Sequence, residues 1–269
     1  MTTMMKQRSR VGLVGTLLAT FLLILNNGDV ARALDPYAVA ATTWRDGTAT
    51  FYGGMDASGT MNGGCGYANP FNLGYGDQTA ALSGALWNKG LSCGACFEIK
   101  CKISASAYAK QWCYASQPSI FVTATNLCPQ GSFGGWCDSP RIHFDLAYAA
   151  FTKVANQVAG HMPVQYRRTP CRKSGGIKFQ LNGNPYWDLV LIYNVGGGGN
   201  VHAAAIKGSS TNFYTMTQNW GMNWQAYASL RGQALTFKLT LGNGRTATFY
   251  NVCPSYWQIG QTCQSSYNF

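Results

Sequence analysis

The sequence is poor in acidic residues, and this shortage limits the chemistry that it can perform. Nine of its 269 residues are acidic against 20 that are basic, and the one glutamate is Glu98. A glycosidase of the usual kind needs two carboxylates that flank the scissile glycosidic bond, so this chain offers few candidate pairs of catalytic acids. There are three histidines, which argues against a metal-activated water. We expect neither a metal nor a cofactor.

Other familiar signatures are also missing from the sequence. It contains no serine nucleophile elbow and no glycine-rich phosphate loop. The longest apolar run, residues 11–25, is shorter than the ~20 residues of a membrane-spanning helix. Basic residues precede this run and Ala-Arg-Ala at 31–33 follows it, which is typical of a secretory signal. We predict a signal peptide at residues 1–33 and a soluble, extracellular mature chain that does not span a membrane.

Cysteine, in contrast, is abundant and even in number. An even set in an oxidising compartment predicts disulfides and no spare thiol nucleophile. The close spacing of Cys93, Cys96 and Cys101 could instead indicate zinc ligation, but secretion and the even count favour disulfides. Cys253 and Cys263 would close one short loop late in the chain. The ten cysteines are Cys65, Cys93, Cys96, Cys101, Cys113, Cys128, Cys137, Cys171, Cys253 and Cys263.

Positive charge is concentrated in the last part of the chain. Beyond Cys171 there are seven basic residues against Asp188 alone. This asymmetry suggests a polyanionic partner such as an acidic polysaccharide, and a generally basic, soluble surface is the alternative. Both interpretations stay open.

The pattern of residues predicts an all-β protein of two domains. Short apolar runs separated by Gly, Asn and Pro indicate strands, and Asn-Gly at 182–183 and 243–244 predicts hairpin turns. Two segments, 78–89 and 146–157, are predicted to be helical. The charged stretch 166–176 contains Pro and Gly and indicates a boundary. We expect a barrel domain at 41–170, a linker at 171–176 and a β-sandwich at 177–269.

One pair of residues is the first candidate for chemistry. In a strand, His143 and Asp145 would project from the same face, which places a proton-handling imidazole beside a potential general acid. Alternatively, Asp145 precedes an Ala-rich run and would cap a helix. Of the other acids, Asp56 follows a Gly-rich segment and suits a turn or an active site equally, whereas Glu98 near Lys100 suits an ion pair.

Aromatic residues of the second domain form the other candidate site. Tyr186 and Trp187 begin a strand, and Trp220 and Trp224 are four residues apart and would share a face. Aromatic rings on a flat β surface bind glucans by stacking against the sugar rings. Core packing is the competing explanation for each of them.

Several motifs resemble the expansins of plant cell walls, and the α-expansins most closely. The resemblance extends from about residue 49 to the C-terminus. The motifs include Thr-Ala-Thr-Phe-Tyr-Gly-Gly at 48–54, Leu-Ser-Cys-Gly-Ala-Cys at 91–96, His-Phe-Asp-Leu at 143–146 and Asn-Trp-Gly-Met-Asn-Trp-Gln at 219–225. A Cys253–Cys263 pair is unusual for this branch.

This resemblance implies a six-stranded double-psi β-barrel, similar to family 45 endoglucanases, followed by an immunoglobulin-like β-sandwich that binds cellulose. It implies Thr50, Tyr52, His143 and Asp145 as the polar groove of the barrel, with Asn126 where other branches have a second Asp. We also expect the disulfides Cys65–Cys93 and Cys96–Cys171.

The implied function is pH-dependent, non-hydrolytic slippage between cellulose and matrix glycans in the cell wall. The implied partners are cellulose and matrix polysaccharides such as xyloglucan, with acidic pectin as a further candidate; no nucleic acid is implied, and we expect a monomer. A weak endoglucanase, with Asp145 as acid and Asp56 or a water network as base, is the runner-up. A wall protein that only binds is the third possibility.

Overall fold

The computed structural model describes residues 43–56, 58–131 and 134–269. The predicted signal peptide, residues 1–33, lies outside these ranges. Within them, no helix combines the length and the apolar character needed to cross a bilayer.

The first half of the chain forms a closed six-stranded barrel. The strand order is β1-β5-β2-β4-β3-β6, and two neighbouring pairs, β1 with β5 and β2 with β4, run parallel. Alternating side chains point into the barrel, as in β6, where Met162, Val164 and Tyr166 are buried. The strands are β1 (Arg45–Tyr52), β2 (Thr79–Leu82), β3 (Cys96–Cys101), β4 (Ser119–Leu127), β5 (His143–Ala147) and β6 (Met162–Arg168).

Helices of the described residues are short and connect the strands. They are α1 (Gly84–Trp87), α2 (Ala107–Trp112) and α3 (Tyr148–Phe151), with 3₁₀ turns at Asn88–Gly90, Ile103–Ala105 and Gln157–Ala159.

Both predicted helices are confirmed only in part; in the first segment, Gly84–Trp87 is α-helical and a 3₁₀ turn follows at Asn88–Gly90. Residues 79–82 of the segment 78–89 form β2, in which every residue is buried between β4 and β5. Residues 146–147 of the other segment complete β5, and only Tyr148–Phe151 is α-helical. Short apolar runs that are buried on both faces do not show the alternation by which a strand is recognised, so the Ala-rich composition misled the prediction.

The capping role considered for Asp145 is also wrong. Asp145 lies in the middle of β5, and helix α3 begins after Ala147 with no side-chain cap. His143 and Asp145 therefore share the face of a strand, which is the arrangement that their spacing predicted.

The second half forms eight antiparallel strands in the order β13-β12-β9-β10-β11-β8-β7-β14. Phe179 of β7 stacks on Phe237 of β12 at 4.1 Å although the two strands are far apart in this order, so the two halves of the sheet face each other as a sandwich. The strands are β7 (Lys178–Asn184), β8 (Trp187–Tyr193), β9 (Val201–Lys207), β10 (Tyr214–Trp220), β11 (Asn223–Ala226), β12 (Leu235–Leu241), β13 (Thr246–Cys253) and β14 (Thr262–Gln264).

One of the two predicted turns is displaced. Asn243-Gly244 joins β12 to β13 as expected, but Asn182 and Gly183 lie inside β7. The β7–β8 turn is formed instead around Tyr186, because the side chain of Asn184 accepts hydrogen bonds from the backbone N–H groups of Tyr186 and Trp187 at 2.9 and 3.2 Å.

All ten cysteines are paired, which confirms the disulfide framework, including Cys65–Cys93 and Cys96–Cys171. The Cys253–Cys263 bond joins β13 to β14, the first and last strands of the sandwich order, and so ties its two ends together. The other two bonds are Cys101–Cys113 and Cys128–Cys137.

The two halves meet through backbone that lies too close to admit side chains. Gly94 of the barrel and Gly199 of the sandwich both have positive φ angles, 79° and 78°. A Cβ on Gly94 would stand 2.6 Å from the carbonyl oxygen of Gly199, and a Cβ on Gly199 would clash with Gly94 and with the sulfur of Cys171. The Cys96–Cys171 disulfide covers the same contact.

Hydrogen bonds between the halves surround this contact. Met222 donates its backbone N–H to the carbonyl of Cys65 at 3.0 Å. The guanidinium of Arg168 donates to the side chain of Asn200 at 2.8 Å, and Asn200 donates to the carbonyl of Leu91 at 2.9 Å. The barrel and the sandwich are therefore joined by a specific, polar and tightly packed junction.

A pair of glycine substitutions tests this junction. Gly199→Ala introduces both an unfavourable φ and a clash, whereas Gly232→Ala, with a φ of 76° and no atom within 4 Å of the added Cβ, introduces only the unfavourable φ. We expect Gly232→Ala to lower the free energy of unfolding by about 1 kcal/mol and Gly199→Ala by about 1–3 kcal/mol more. Urea denaturation of both variants measures the difference, and equal losses would contradict the tight contact.

Candidate functional site

The candidate site is built on the parallel pairing of β1 with β5. The register aligns Thr48 with His143 and Thr50 with Asp145. Alternation along the strands sends these four side chains away from the barrel core, into which neighbours such as Phe144 point.

Four side chains form one chain of hydrogen bonds. Thr50 donates its hydroxyl hydrogen to Oδ1 of Asp145 at 2.7 Å, and Nε2 of His143 lies 2.8 Å from the same hydroxyl oxygen. Because that hydrogen is directed to the carboxylate, Nε2 of His143 must carry a hydrogen and donate to Thr50. The other ring nitrogen, Nδ1, then accepts from the hydroxyl of Thr48 at 2.8 Å. The chain is thus directed from Thr48 through His143 and Thr50 to Asp145.

Burial shifts the pKa values of both titratable groups. Burial lowers the pKa of His143 to about 4, with smaller contributions from the positive charges of His161 and Arg141, so the imidazole is neutral above that pH. Burial raises the pKa of Asp145, and the hydrogen bond from Thr50 partly offsets the rise. Asp145, the last member of the hydrogen-bond chain, is half-buried. Its carboxyl therefore holds a proton more readily than that of an exposed aspartate.

Tyr52 and Asn126 lie beside this chain and were both expected at the site. The Tyr52 hydroxyl is buried with no well-aligned hydrogen-bond partner among the described residues, and burial raises its pKa, which the Asn126 amide partly offsets. The side-chain oxygen of Asn126 accepts from the N–H groups of Gly64 and Leu127 at 2.6 and 2.8 Å. Asn126 therefore holds the loop 63–66 against the barrel.

The structure separates the other candidate acids from this cluster. Asp56 is exposed, and its carboxylate accepts from the hydroxyl and from the backbone N–H of Ser58 in its own turn, which lowers its pKa. Glu98 forms an ion pair as expected, but with Arg167 at 2.6 Å and not with Lys100. Among the acids in the described ranges, Asp145 alone hydrogen-bonds with Thr50 and, through it, with His143.

Trp136 is a further site residue that the sequence reasoning missed. Its indole stacks on His161 at 4.2 Å and over His143 at 5.9 Å, and His161 stacks in turn on Tyr108 at 5.9 Å. Trp136 covers His143, which is fully buried. The Trp136 side chain itself is 42% exposed. Polar ligands at this surface would meet Trp136 and Asp145, and His143 would act through Thr50.

The loop that carries Trp136 is fixed at both ends. Its neighbour Cys137 is bonded to Cys128, and the carboxylate of Asp138 accepts from the backbone N–H of Gly135 at 2.7 Å. The sequence signal that could have identified Trp136 is its position between Gly135 and Cys137 in a loop closed by a disulfide.

The predicted sandwich aromatics do not all reach the surface. Tyr186 is 83% exposed, Trp220 is 50% exposed and Trp187 is half-buried, so these three rings are accessible from solvent. Trp224, at 3% exposure, lies in the sandwich core and cannot stack on a sugar. A β-bulge between Gln218 and Trp220 shifts the register of β10 against β11, so Trp220 and Trp224 do not share a face as expected.

Trp220 of the sandwich contacts a loop of the barrel half that lies beside the groove. Its six-membered ring lies against Gly66, where an added Cβ would stand 3.3 Å from it. Gly66 ends the loop 63–66 whose other end is held by Asn126. The accessible indole and the groove are therefore separated by one short loop, roughly 10 Å of backbone when extended.

Comparisons with known proteins agree with this architecture. Residues 79–166 match a family model described as lytic transglycolase, and residues 177–254 match the expansin C-terminal domain. Expansin-A22 of Arabidopsis thaliana is 47% identical over 247 residues, which cover 90% of this chain and 86% of that protein. Expansin-A25 of Oryza sativa subsp. japonica is 47% identical over 231 residues, covering 84% and 89%.

A solved expansin of Clavibacter michiganensis shares the fold. It superposes with a TM-score of 0.63 at 16% identity, covering 84% of this chain and 98% of that one. The fold and the matched domains define a double-psi β-barrel protein with an appended expansin C-terminal domain. The chain belongs to the expansin family, and among its members it is a plant α-expansin, a protein of cell-wall loosening.

The directed hydrogen-bond chain makes a testable prediction. Thr50→Val removes the donor to Asp145, so the pKa of that carboxyl should rise further above its ordinary value. Thr48→Val also leaves one ring nitrogen of His143 without its partner, at a similar stability cost of about 1 kcal/mol, but should leave the pKa of Asp145 unchanged. Carboxyl ¹³C titration by NMR measures both variants. An unchanged pKa of Asp145 in Thr50→Val, or equal shifts of that pKa in the two variants, would contradict the directed hydrogen-bond chain.

Proposed function

We propose that this α-expansin loosens walls without hydrolysis, by binding glucan along a surface that extends from the barrel groove to the sandwich aromatics. The observation that carries the proposal is that Asp145 is the one acid of the described residues in the Thr50–His143 cluster. Inverting hydrolysis needs a second carboxylate to activate water on the opposite face of the sugar, and retaining hydrolysis needs one as nucleophile. An acid without such a partner can exchange hydrogen bonds with a polysaccharide but cannot complete either reaction.

Binding to cellulose is supported by a relative and by the accessible rings. A mutant of the C. michiganensis expansin was solved in complex with cellohexaose. In this chain, Tyr186, Trp187 and Trp220 offer ring faces for sugar stacking, and Trp136 offers another beside the groove. We infer that a glucan chain lies across Trp136, Asp145 and Trp220.

Protonation of Asp145 would couple this binding to pH. Its raised pKa means that the carboxyl is protonated over a wider acid range than an exposed aspartate, while His143 stays neutral above about pH 4. A protonated carboxyl can donate to a sugar oxygen, whereas the carboxylate can only accept. Acidic walls would therefore change which hydrogen bonds the groove forms, with no bond of the polysaccharide broken.

The same proposal includes the setting of the protein. We propose secretion through the signal at 1–33, a barrel domain at 41–170, a linker at 171–176 and a cellulose-binding sandwich at 177–269, acting as a monomer in the cell wall. The end of β6 at Arg168 and the start of β7 at Lys178 support this division. Matrix glycans such as xyloglucan are the second partner.

The role of Asp145 is tested by Asp145→Asn, which keeps the shape of the side chain but cannot take up or release a proton. We expect the variant to lose acid-induced extension of isolated walls under constant load while its binding to cellulose persists. Asp56→Asn makes the same change at an exposed acid outside the cluster and should extend walls normally. Full wall extension with the Asp145→Asn variant would contradict the proposal. Loss of wall extension with Asp56→Asn would favour the endoglucanase that uses Asp56 as base.

The stacking surface is tested separately by cellulose binding. Tyr186→Ala and Trp220→Ala should each weaken binding by about tenfold, because each removes one ring face that contacts sugar. Tyr250→Ala removes a ring that is 71% exposed on β13, several strands away in the order, and should bind normally. Depletion assays on microcrystalline cellulose give the three affinities. Equal losses in all three variants would contradict a defined surface.

A further inference from the structure

A cavity of about 310 Å³ opens at the junction of barrel and sandwich, and it shares no residue with the groove. Strand β4 contributes Phe121 and Thr123, and the segment after β6 contributes Arg172 and Lys173. Tyr75 and Gln78 form another part of its wall. Polar and cationic groups thus converge on a space that the glucan surface does not use.

Lys173 is the unusual member of this wall. Its ammonium donates to the hydroxyl of Thr123 at 3.3 Å and lies 4.3 Å from the ring centre of Tyr75. Burial lowers its pKa to about 8, so the side chain remains a cation at acidic and neutral pH.

Within the part of the chain that the structure describes, no carboxylate forms an ion pair with this charge. None of the ion pairs formed by the described residues involves Lys173, and the acid next to Gln78, Asp77, pairs with Lys153 at 3.8 Å. Arg172 is exposed beside it and adds a second positive charge. A half-buried, unpaired cation is costly, and an anionic ligand would compensate it.

The backbone that leads into the two cationic residues is anchored. Cys171 is bonded to Cys96, and its N–H and carbonyl exchange hydrogen bonds with Gly197 at 2.7 and 3.1 Å. Arg172 and Lys173 follow directly, so they approach the cavity from an anchored β-bridge. Two neighbouring cationic donors in the cavity wall suit a carboxylate, which accepts at two oxygens.

The size and rim of the cavity indicate what carries that carboxylate. Its volume is at the lower end of the ~300–1,000 Å³ typical of small-molecule sites, which suits one sugar ring. Phe121, 55% exposed, offers an apolar face at the rim, and the hydroxyls of Thr123 and Thr169 with the Gln78 amide supply hydrogen bonds.

We propose that this cavity binds one uronate unit of an acidic polysaccharide, with Lys173 and Arg172 contacting its carboxylate. This site would give the protein a contact with acidic wall polymers that is separate from its glucan surface. The excess of basic residues beyond Cys171 would attract such a polymer to this part of the molecule.

The test uses the full mature protein and a trimer of α-1,4-linked galacturonate in titration calorimetry. Lys173→Gln and Arg172→Gln should each weaken binding by about tenfold, because each removes a charge-assisted hydrogen bond. Lys238→Gln removes one exposed positive charge from β12 and should change the affinity by less than about twofold. The methyl ester of the trimer, which has the same rings but no charge, should bind at least about tenfold more weakly.

Three results would overturn the proposal: equal losses in Lys173→Gln and Lys238→Gln, equal binding of the acid and its methyl ester, or displacement of the trimer by an equal concentration of inorganic phosphate. If Lys173→Gln does not fold, Arg172→Gln, whose side chain is exposed, and the methyl ester decide the matter. Cellohexaose binding should be unchanged in Lys173→Gln, so failure of this site and failure of the glucan surface are distinguishable.

Discussion

The close approach of Gly94 and Gly199 is the contact on which the arrangement of the molecule depends. No side chain fits between the two backbones, and the Cys96–Cys171 disulfide and the hydrogen bond from Met222 to Cys65 hold the same junction. This contact brings the loop 63–66 of the barrel against Trp220 of the sandwich. Trp220 consequently lies beside the loop that Asn126 holds next to the groove, and residues of the first half such as Tyr67 and Tyr75 join the sandwich core.

Within the groove, chemistry follows from one parallel strand pair. The register of β1 and β5 places the Thr50 hydroxyl between a fully buried imidazole and a half-buried carboxyl. Trp136 stacks over the imidazole, and burial lowers the pKa of His143 to about 4, which keeps the imidazole neutral above that pH. The arrangement resembles half of a glycosidase site. This arrangement is the basis of our proposal that the protein acts on walls through hydrogen bonding rather than bond cleavage.

Sequence patterns predicted the structure correctly where it depends on residues that are near in sequence or on the number of cysteines. Cysteine number, the Asn-Gly turn at 243–244 and the two-residue spacing of His143 and Asp145 all predicted what the structure contains. They failed where tertiary packing decides: β2 is Ala-rich but buried on both faces, and a bulge in β10 sends Trp220 outward while Trp224 stays in the core. Trp136 was missed because its role depends on stacking with His161, which is distant in sequence.

The central claim is that this protein, whose groove has one acid and no second carboxylate among the described residues, loosens walls without hydrolysing their polysaccharides. The most direct measurement records wall extension under constant load and new reducing ends in the same sample, across protein dose and time. We predict extension that grows with dose while reducing ends stay at the level of a protein-free control. Reducing ends that rise in proportion to both dose and time would contradict the account.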